Sequence, residues 1–373
     1  MVKGTLIPTK QYPRTLIVGV QAPYNTTKDI QAYYDEFRHL LKSNEIVYDH
    51  EFFTKIRSVD PAYFLTKGKL EDLIKMCQEN DIEEVVFSEP LSNQQTRNLR
   101  KMVIARVFDR TQLILEIFEK GAHTAEGKKQ IDLAMFQYKK SRLVGKGIHF
   151  GQQAGGHIGT RGPGETQKEK ELQHLDRMVI KLKRDLKQLE KSREVQRKKR
   201  LDSNLPLVSI IGYTNAGKST ILNKLTKSDV LAEDKLFATL DTTTRELFLS
   251  KDKRYLVSDT VGFIQLLPHS LIEAFKSTLK ELQFAGLLLH VIDASDRNWP
   301  MHTRIVHEIL HELKVDKKPI LYVFNKVDKL SDQEQEELSK QANKYNPHIF
   351  ISASSENGID PLIEFLSDWE NES

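Results

Sequence analysis

The 373-residue chain has a single cysteine, Cys77. That excludes a disulfide framework and a paired-cysteine metal site. Its neighbours Leu73, Ile74 and Met76 mark it as a packed core thiol. No apolar run approaches the roughly 20 residues needed to span a bilayer. The N-terminus lacks the pattern of a secretory signal. These absences argue against membrane insertion and make the cytoplasm the expected compartment. Neither sign of charge dominates, with 56 Lys and Arg against 52 Asp and Glu and a formal net charge of +4. The total therefore says little about partners, and the distribution of charge has to be read instead. Hydrophobic residues make up 39% and charged residues 29%, enough apolar material for two or three well-solvated domains.

The most informative run is Gly212-Tyr213-Thr214-Asn215-Ala216-Gly217-Lys218-Ser219, followed by Thr220. It fits the phosphate-loop pattern between an apolar, strand-like Leu207–Ile211 and a helical segment opening at Thr220. Glycines let the backbone turn its amides toward phosphates, and the helix N-terminus adds partial positive charge. Lys218 can reach the β- and γ-phosphates, and Ser219 can ligate Mg²⁺. Three later motifs narrow the base. Asp259-Thr260-Val261-Gly262, Asn325-Lys326-Val327-Asp328 and Ser352-Ala353-Ser354 each follow a strand-like segment, in the order of a guanine-nucleotide site. Asp328 discriminates, because a carboxylate accepts from guanine N1–H and N2–H₂ together and adenine offers no such pair.

Residues 1–108 alternate strand and helix signals, which predicts a small α/β unit with a mainly parallel sheet. Strands are expected at Thr15–Val20, Ile46–Phe53, Glu84–Phe87 and Arg106–Phe108, and helices at Thr27–Ser43, Gly68–Glu79 and Ser92–Met102. Thr26 or Thr27 is the candidate cap of the first helix. From about residue 122 the character changes, and 109–203 is expected to form a helical hairpin subdomain. Glu126–Arg142 carries Ile131, Met135 and Tyr138, and Thr166–Arg200 carries Leu172, Leu175, Val179, Leu182, Leu186 and Leu189 at heptad spacing. Two such helices joined by one loop predict an antiparallel hairpin. Thr166–Arg200 holds 13 Lys and Arg against 6 Asp and Glu, a net of +7 by subtraction. A solvated face explains many such runs, but this excess also suits an anionic partner.

The connector of the hairpin, 143–165, includes eight of the chain's 18 glycines and almost nothing to build a core from. Coreless loops of this length are usually functional. Lys146, His149, Phe150, His157 and Arg161 are its cations and stackable rings, suited to close approach to folded RNA. Without cysteines or a spaced carboxylate cluster, His149 and His157 do not make a metal site.

At this point the chain resembles the HflX-type, ribosome-associated GTPases. The resemblance rests on Gly68-Lys69-Leu70-Glu71, Leu91-Ser92, Arg97-Asn98-Leu99, Asp109-Arg110-Thr111 with Ile114-Leu115, and Leu143-Val144-Gly145. It continues through Gly159-Thr160-Arg161-Gly162-Pro163-Gly164-Glu165, the phosphate loop, Phe237-Ala238-Thr239-Leu240-Asp241 and Asp259–Ile264. It implies an α/β protein in which the α/β unit and hairpin precede a Ras-like P-loop GTPase domain at 204–373. It implies Mg²⁺, GTP as substrate, GDP as product, and a monomeric factor that binds the large ribosomal subunit and its RNA. The hairpin tip would approach the peptidyl-transferase region, and members split or rescue stalled ribosomes under stress. Some relatives are linked to antibiotic resistance. Two positions depart: Thr66 replaces a family glycine, and Thr242-Thr243 follows Asp241 where many relatives have Pro-Thr. Many members also carry a further C-terminal domain, whereas Glu356–Ser373 here accounts for the last helix of the GTPase domain.

The site residues divide by role. Lys218, Thr239 and Gly262 are the expected catalytic groups. Ser219, Thr239 and Asp259 are the expected Mg²⁺ ligands, with Thr243 second to Thr239. In-line attack on the γ-phosphate needs charge stabilisation and a positioned water. Phe263 stands where Ras-like enzymes place a glutamine and cannot orient water. Slow intrinsic hydrolysis, stimulated by a bound partner, is therefore expected, with Gln265 a candidate substitute. Asn215 resembles the asparagine of GTPases that recruit K⁺. Two other readings stay open: a nucleotide-gated RNA-binding switch with little catalysis, and a GTPase acting on another RNA or on a membrane protease.

Overall fold

The computed structural model describes residues 12–27, 29–144, 163–201, 205–226, 237, 244–250, 253–259 and 262–370. The chain divides into two compact units, Met1–Thr26 with Tyr34–Leu113, and Thr27–Tyr33 with Ile114–Ser373. In the first, strands β1 (Thr15–Gln21), β2 (His50–Lys55), β3 (Glu84–Phe87) and β4 (Arg106–Phe108) form one parallel sheet in the order β2-β1-β3-β4. Helices α1 (Ile30–Ser43), α2 (Lys67–Glu79) and α3 (Asn93–Val103) make the crossovers. Parallel strands need such crossovers, which cover both faces. Alternation along β1 follows: Leu16, Val18 and Val20 pack with Leu73 and Cys77, whereas Ile17 packs with Phe37, Leu41 and Val86. Burial pushes the Cys77 thiol up to about 11, so it is a protonated core group.

Three differences from the sequence reading have local causes. Helix α1 starts at Ile30 because the Asp29 carboxylate accepts the N–H groups of Gln31 and Ala32, at 3.0 and 3.1 Å. Asp29, not Thr26 or Thr27, caps it. Strand β2 starts at His50 because Ile46 and Tyr48 pack against the core ahead of the paired register, which opens at Leu16↔His50. A helix not expected from the pattern, α4 (Arg110–Gly121), follows β4. Asp109 starts it by accepting from Gln112 N at 2.9 Å and ties it to Leu91 N at 3.0 Å.

In the second unit, α5 (Ala125–Val144) and α6 (Pro163–Leu201) pair as an antiparallel hairpin. Lys140, late in α5, pairs with Asp176 early in α6, and Lys129 meets Asp185 at 3.5 Å further along. Leu175 and Leu182 of the heptad seam are buried, as are Ile131 and Met135 opposite, while Ile180 is 68% exposed. The six-stranded sheet comprises β5 (Leu207–Gly212), β6 (Thr244–Phe248), β7 (Arg254–Asp259), β8 (Leu287–Asp293), β9 (Ile320–Asn325) and β10 (His348–Phe350). Its order is β10-β9-β8-β5-β7-β6, parallel except for β6. Helices α7 (Lys218–Thr226), α8 (His269–Leu279), α9 (Trp299–Glu312), α10 (Asp332–Ala342) and α11 (Asp360–Asp368) complete it. Residues Gln137 of α5 and Lys183 of α6 both reach Glu273 of α8 at 3.2 Å. Phe118 of α4 packs between Phe237 and Phe275, with tilted rings and centroids at 4.3 and 5.3 Å. Among the described residues no helix is long and apolar enough to cross a membrane.

Candidate guanine-nucleotide site

All four motifs lie at the carboxyl ends of β5, β7, β9 and β10, the edge where open α/β sheets bind ligands. Strand β5 delivers Gly212 into the loop and α7 begins at Lys218. Gly217 sits at φ +96°, and a Cβ there would lie 2.3 Å from Asn325 Nδ2. Only glycine lets the loop close on that side chain. Asn325 is a two-way brace. Its Nδ2 donates to Ala216 O at 2.8 Å and its Oδ1 accepts from Ala353 N at 2.9 Å. One amide thereby ties the phosphate loop to the base-recognition loop.

Lys326 adopts the left-handed region, at φ 66°. Its Nζ donates to Asn215 O at 2.8 Å and to Asp293 Oδ2 at 2.7 Å. Asp328 accepts from Ser352 Oγ and, at 3.4 Å, from Ser354 Oγ. The Ser352 bond holds its carboxyl below the usual carboxylate range. An ionised, mostly exposed acceptor is what a guanine edge requires.

Lys218 is fully enclosed and donates to Tyr213 O at 2.8 Å. Burial pushes its amine down to about 8, against the opposing pull of Asp259. Ser219 Oγ donates to Asp259 Oδ2 at 3.0 Å. This hydroxyl–carboxylate pair is the hard oxygen set that suits Mg²⁺ alongside phosphate oxygens. Among the described residues no three His, Cys, Asp or Glu side chains cluster to hold a metal otherwise. Thr220 follows in the first turn of α7, and Val327 lies in a 3₁₀ turn, Val327–Lys329.

Phe263 is 1% exposed, and Gly262 lies against Thr214 and Lys218. Of the expected residues, Ala238, Thr239, Leu240, Asp241, Thr243, Thr260 and Val261 lie outside the described residues. So do Lys146, His149, Phe150, His157 and Arg161. Phe237 is described and buried, but its ring faces Phe118. Motif reading missed Asp293, the acid that steadies Lys326. Its signal was a carboxylate closing the apolar strand Leu287–Asp293, where site residues concentrate.

A mainly parallel sheet with its phosphate loop after β5, a hydroxyl–carboxylate pair beside a buried lysine, and a carboxylate for the base define a P-loop GTPase. Family profiles agree: "GTP-binding GTPase N-terminal" matches residues 31–119, "GTP-binding GTPase Middle Region" matches 121–200, and "50S ribosome-binding GTPase" matches 207–326. The GTPase HflX of Magnetococcus marinus is 40% identical over 365 residues, covering 97% of this chain and 83% of that protein. The GTPase HflX of Caldanaerobacter subterraneus subsp. tengcongensis is 42% identical over 312 residues, covering 84% and 71%. That of Escherichia coli is 42% identical over 308 residues, covering 83% and 72%. The chain belongs to the HflX GTPase family. The crystal structure of the SsGBP and GDP complex has a TM-score of 0.50 at 23% identity, covering 95% of this chain and 97% of that one, and shares the fold.

Proposed function

We propose that this GTPase binds the large ribosomal subunit and its RNA, and uses GTP to time the splitting or rescue of stalled ribosomes in the cytoplasm. The observation that carries the reading is a guanine-nucleotide site in one compact unit with a basic antiparallel hairpin. A profile described as a ribosome-binding GTPase over 207–326 supports it. The tip, 143–165, is directed at the peptidyl-transferase region, with Lys146, His149, Phe150, His157 and Arg161 as its RNA contacts. The free protein is a monomer.

Lys218 and the loop amides of 212–219 stabilise charge on the phosphates, and the Gly262 amide senses the γ-phosphate. Ser219, Thr239 and Asp259 would hold Mg²⁺, which neutralises charge on the phosphate oxygens when bound. Asp328, Asn325, Ser352 and Ala353 select guanine. Phe263 is buried and apolar, so water must be positioned by another group, and hydrolysis is slow until the ribosome supplies or orders it. K⁺ beside Asn215 would add charge, and hydrolysis faster in KCl than in NaCl would support it. GTP orders the switch segments and favours the bound state, and hydrolysis releases it.

The test is sedimentation of vacant and antibiotic-stalled ribosomes with the protein under GTP, a non-hydrolysable analogue, and GDP. Co-migration with the large subunit in the analogue, with loss of intact ribosomes, is expected. Association that ignores the nucleotide would overturn the reading.

A further inference from the structure

The phosphate loop and the segment after the Asp-x-x-Gly motif are joined at three points. Two are backbone pairs: Phe263 N donates to Gly212 O at 3.1 Å, and Thr214 N donates to Phe263 O at 2.7 Å. The third is a side chain. Gln265 N donates to the Tyr213 hydroxyl at 2.7 Å. The phenol has little freedom to leave. Tyr213 is buried, its ring lies flat on His302 at 3.7 Å and 7°, and His302 in turn meets Asp296 at 3.3 Å.

These pins decide where Gly262 lies. A Cβ on it would be 3.0 Å from Thr214 Cγ2 and 3.1 Å from Lys218 Nζ. The lysine itself is turned onto Tyr213 O. A terminal phosphate must enter between the Lys218 amine and the Gly262 amide, and the Gly262 backbone lies close against that amine. A diphosphate needs only the loop amides and Lys218. The Thr214 hydroxyl is buried and without a hydrogen-bond partner among the described residues, and the methyl of the same side chain lies against Gly262. A phosphate oxygen would satisfy it once Gly262 withdraws.

We propose that Tyr213 is a specificity-determining residue that sets the preference for GDP over GTP in the free protein. Its hydroxyl holds Gln265 so that Gly262 covers the γ-phosphate position, and GTP binds by breaking that bond. The proposal rests on the guanine-nucleotide reading of the site. One net hydrogen bond shifts an equilibrium about two- to tenfold. A nucleotide can move the segment 262–265 only by its differential affinity for the two conformers.

The experiment compares the full chain with Tyr213→Phe, which keeps the ring and its stacking. Dissociation constants are measured for fluorescent GDP and for a fluorescent non-hydrolysable GTP analogue. The ratio of GTP-analogue to GDP affinity is expected to rise about two- to tenfold in the variant. Hydrogen exchange at the Gln265 amide in the GDP complex is expected to quicken in parallel. An unchanged ratio, or a fall in it, would overturn the latch. If the wild-type chain bound neither nucleotide, the site reading would fall first and the latch with it.

Discussion

Lys218 carries a titration that nucleotide must reverse. Its amine is pushed down to about 8 by burial, from an ordinary 10.5. Between those values the unfolded chain binds more protons than the nucleotide-free native state, so stability of the empty protein rises with pH there. Phosphate oxygens favour the charged amine and raise its pKa again. Affinity is therefore complete below about pH 8 and declines as pH rises through it. Calorimetric titration of GDP at pH 8.5, in buffers of different ionisation enthalpy, should show fractional proton uptake. Zero uptake would mean that the lysine is already charged in the empty site. Asp328 makes the second residue-scale prediction. Asp328→Asn replaces an acceptor by a donor and removes the charge that Ser352 and Ser354 support. GTP affinity should fall about 100-fold or more, and affinity for the xanthine nucleotide should rise, since its second keto group accepts from the new amide. Competition binding with the two nucleotides reads both.

At the scale of elements, the hairpin stands on a narrow seam. Leu182 is buried in it and Ile180, two residues away, is exposed. Leu182→Ala should cost about 2–3 kcal/mol, and Ile180→Ala less than about 0.5 kcal/mol, by thermal or chemical unfolding. Equal costs would mean that the seam has been drawn on the wrong face. This seam was legible because heptad spacing is a local pattern that survives in one dimension. The phosphate loop, Asn325 and Asp328 were legible for a related reason: their chemistry demands fixed residues at fixed spacing. Other features act only after the chain has folded. Asp293 steadies Lys326 from another strand, and His302 supports Tyr213 from α9. Helix α4 went unread because Leu113–Phe118 is nearly all apolar and shows no face. Its cap, Asp109 with Gln112, was the available sign. The cap of α1 was placed two or three residues early because threonine and aspartate can both cap a helix, and only the backbone geometry chooses.

For the whole molecule, an aromatic ring that precedes the GTPase motifs in the chain packs with rings that follow the phosphate loop. Phe118 takes Phe237 on one side and Phe275 on the other, and both of those lie beyond residue 204. A chain begun at 204 would present the two rings to water. Such a truncated protein should still bind GDP through its intact loops, yet self-associate at concentrations where the full chain stays monodisperse. Light scattering during GDP titration tests both halves of that expectation, and a soluble, monodisperse fragment would show that the aromatic contact has little energetic weight. The same contact bears on synthesis. Chains fold from the N-terminus as they emerge. Phe118 leaves the exit tunnel well before Phe237 and Phe275, so the acceptor for both rings is already in place when they appear. The order of elements along this chain thus shields both rings during translation.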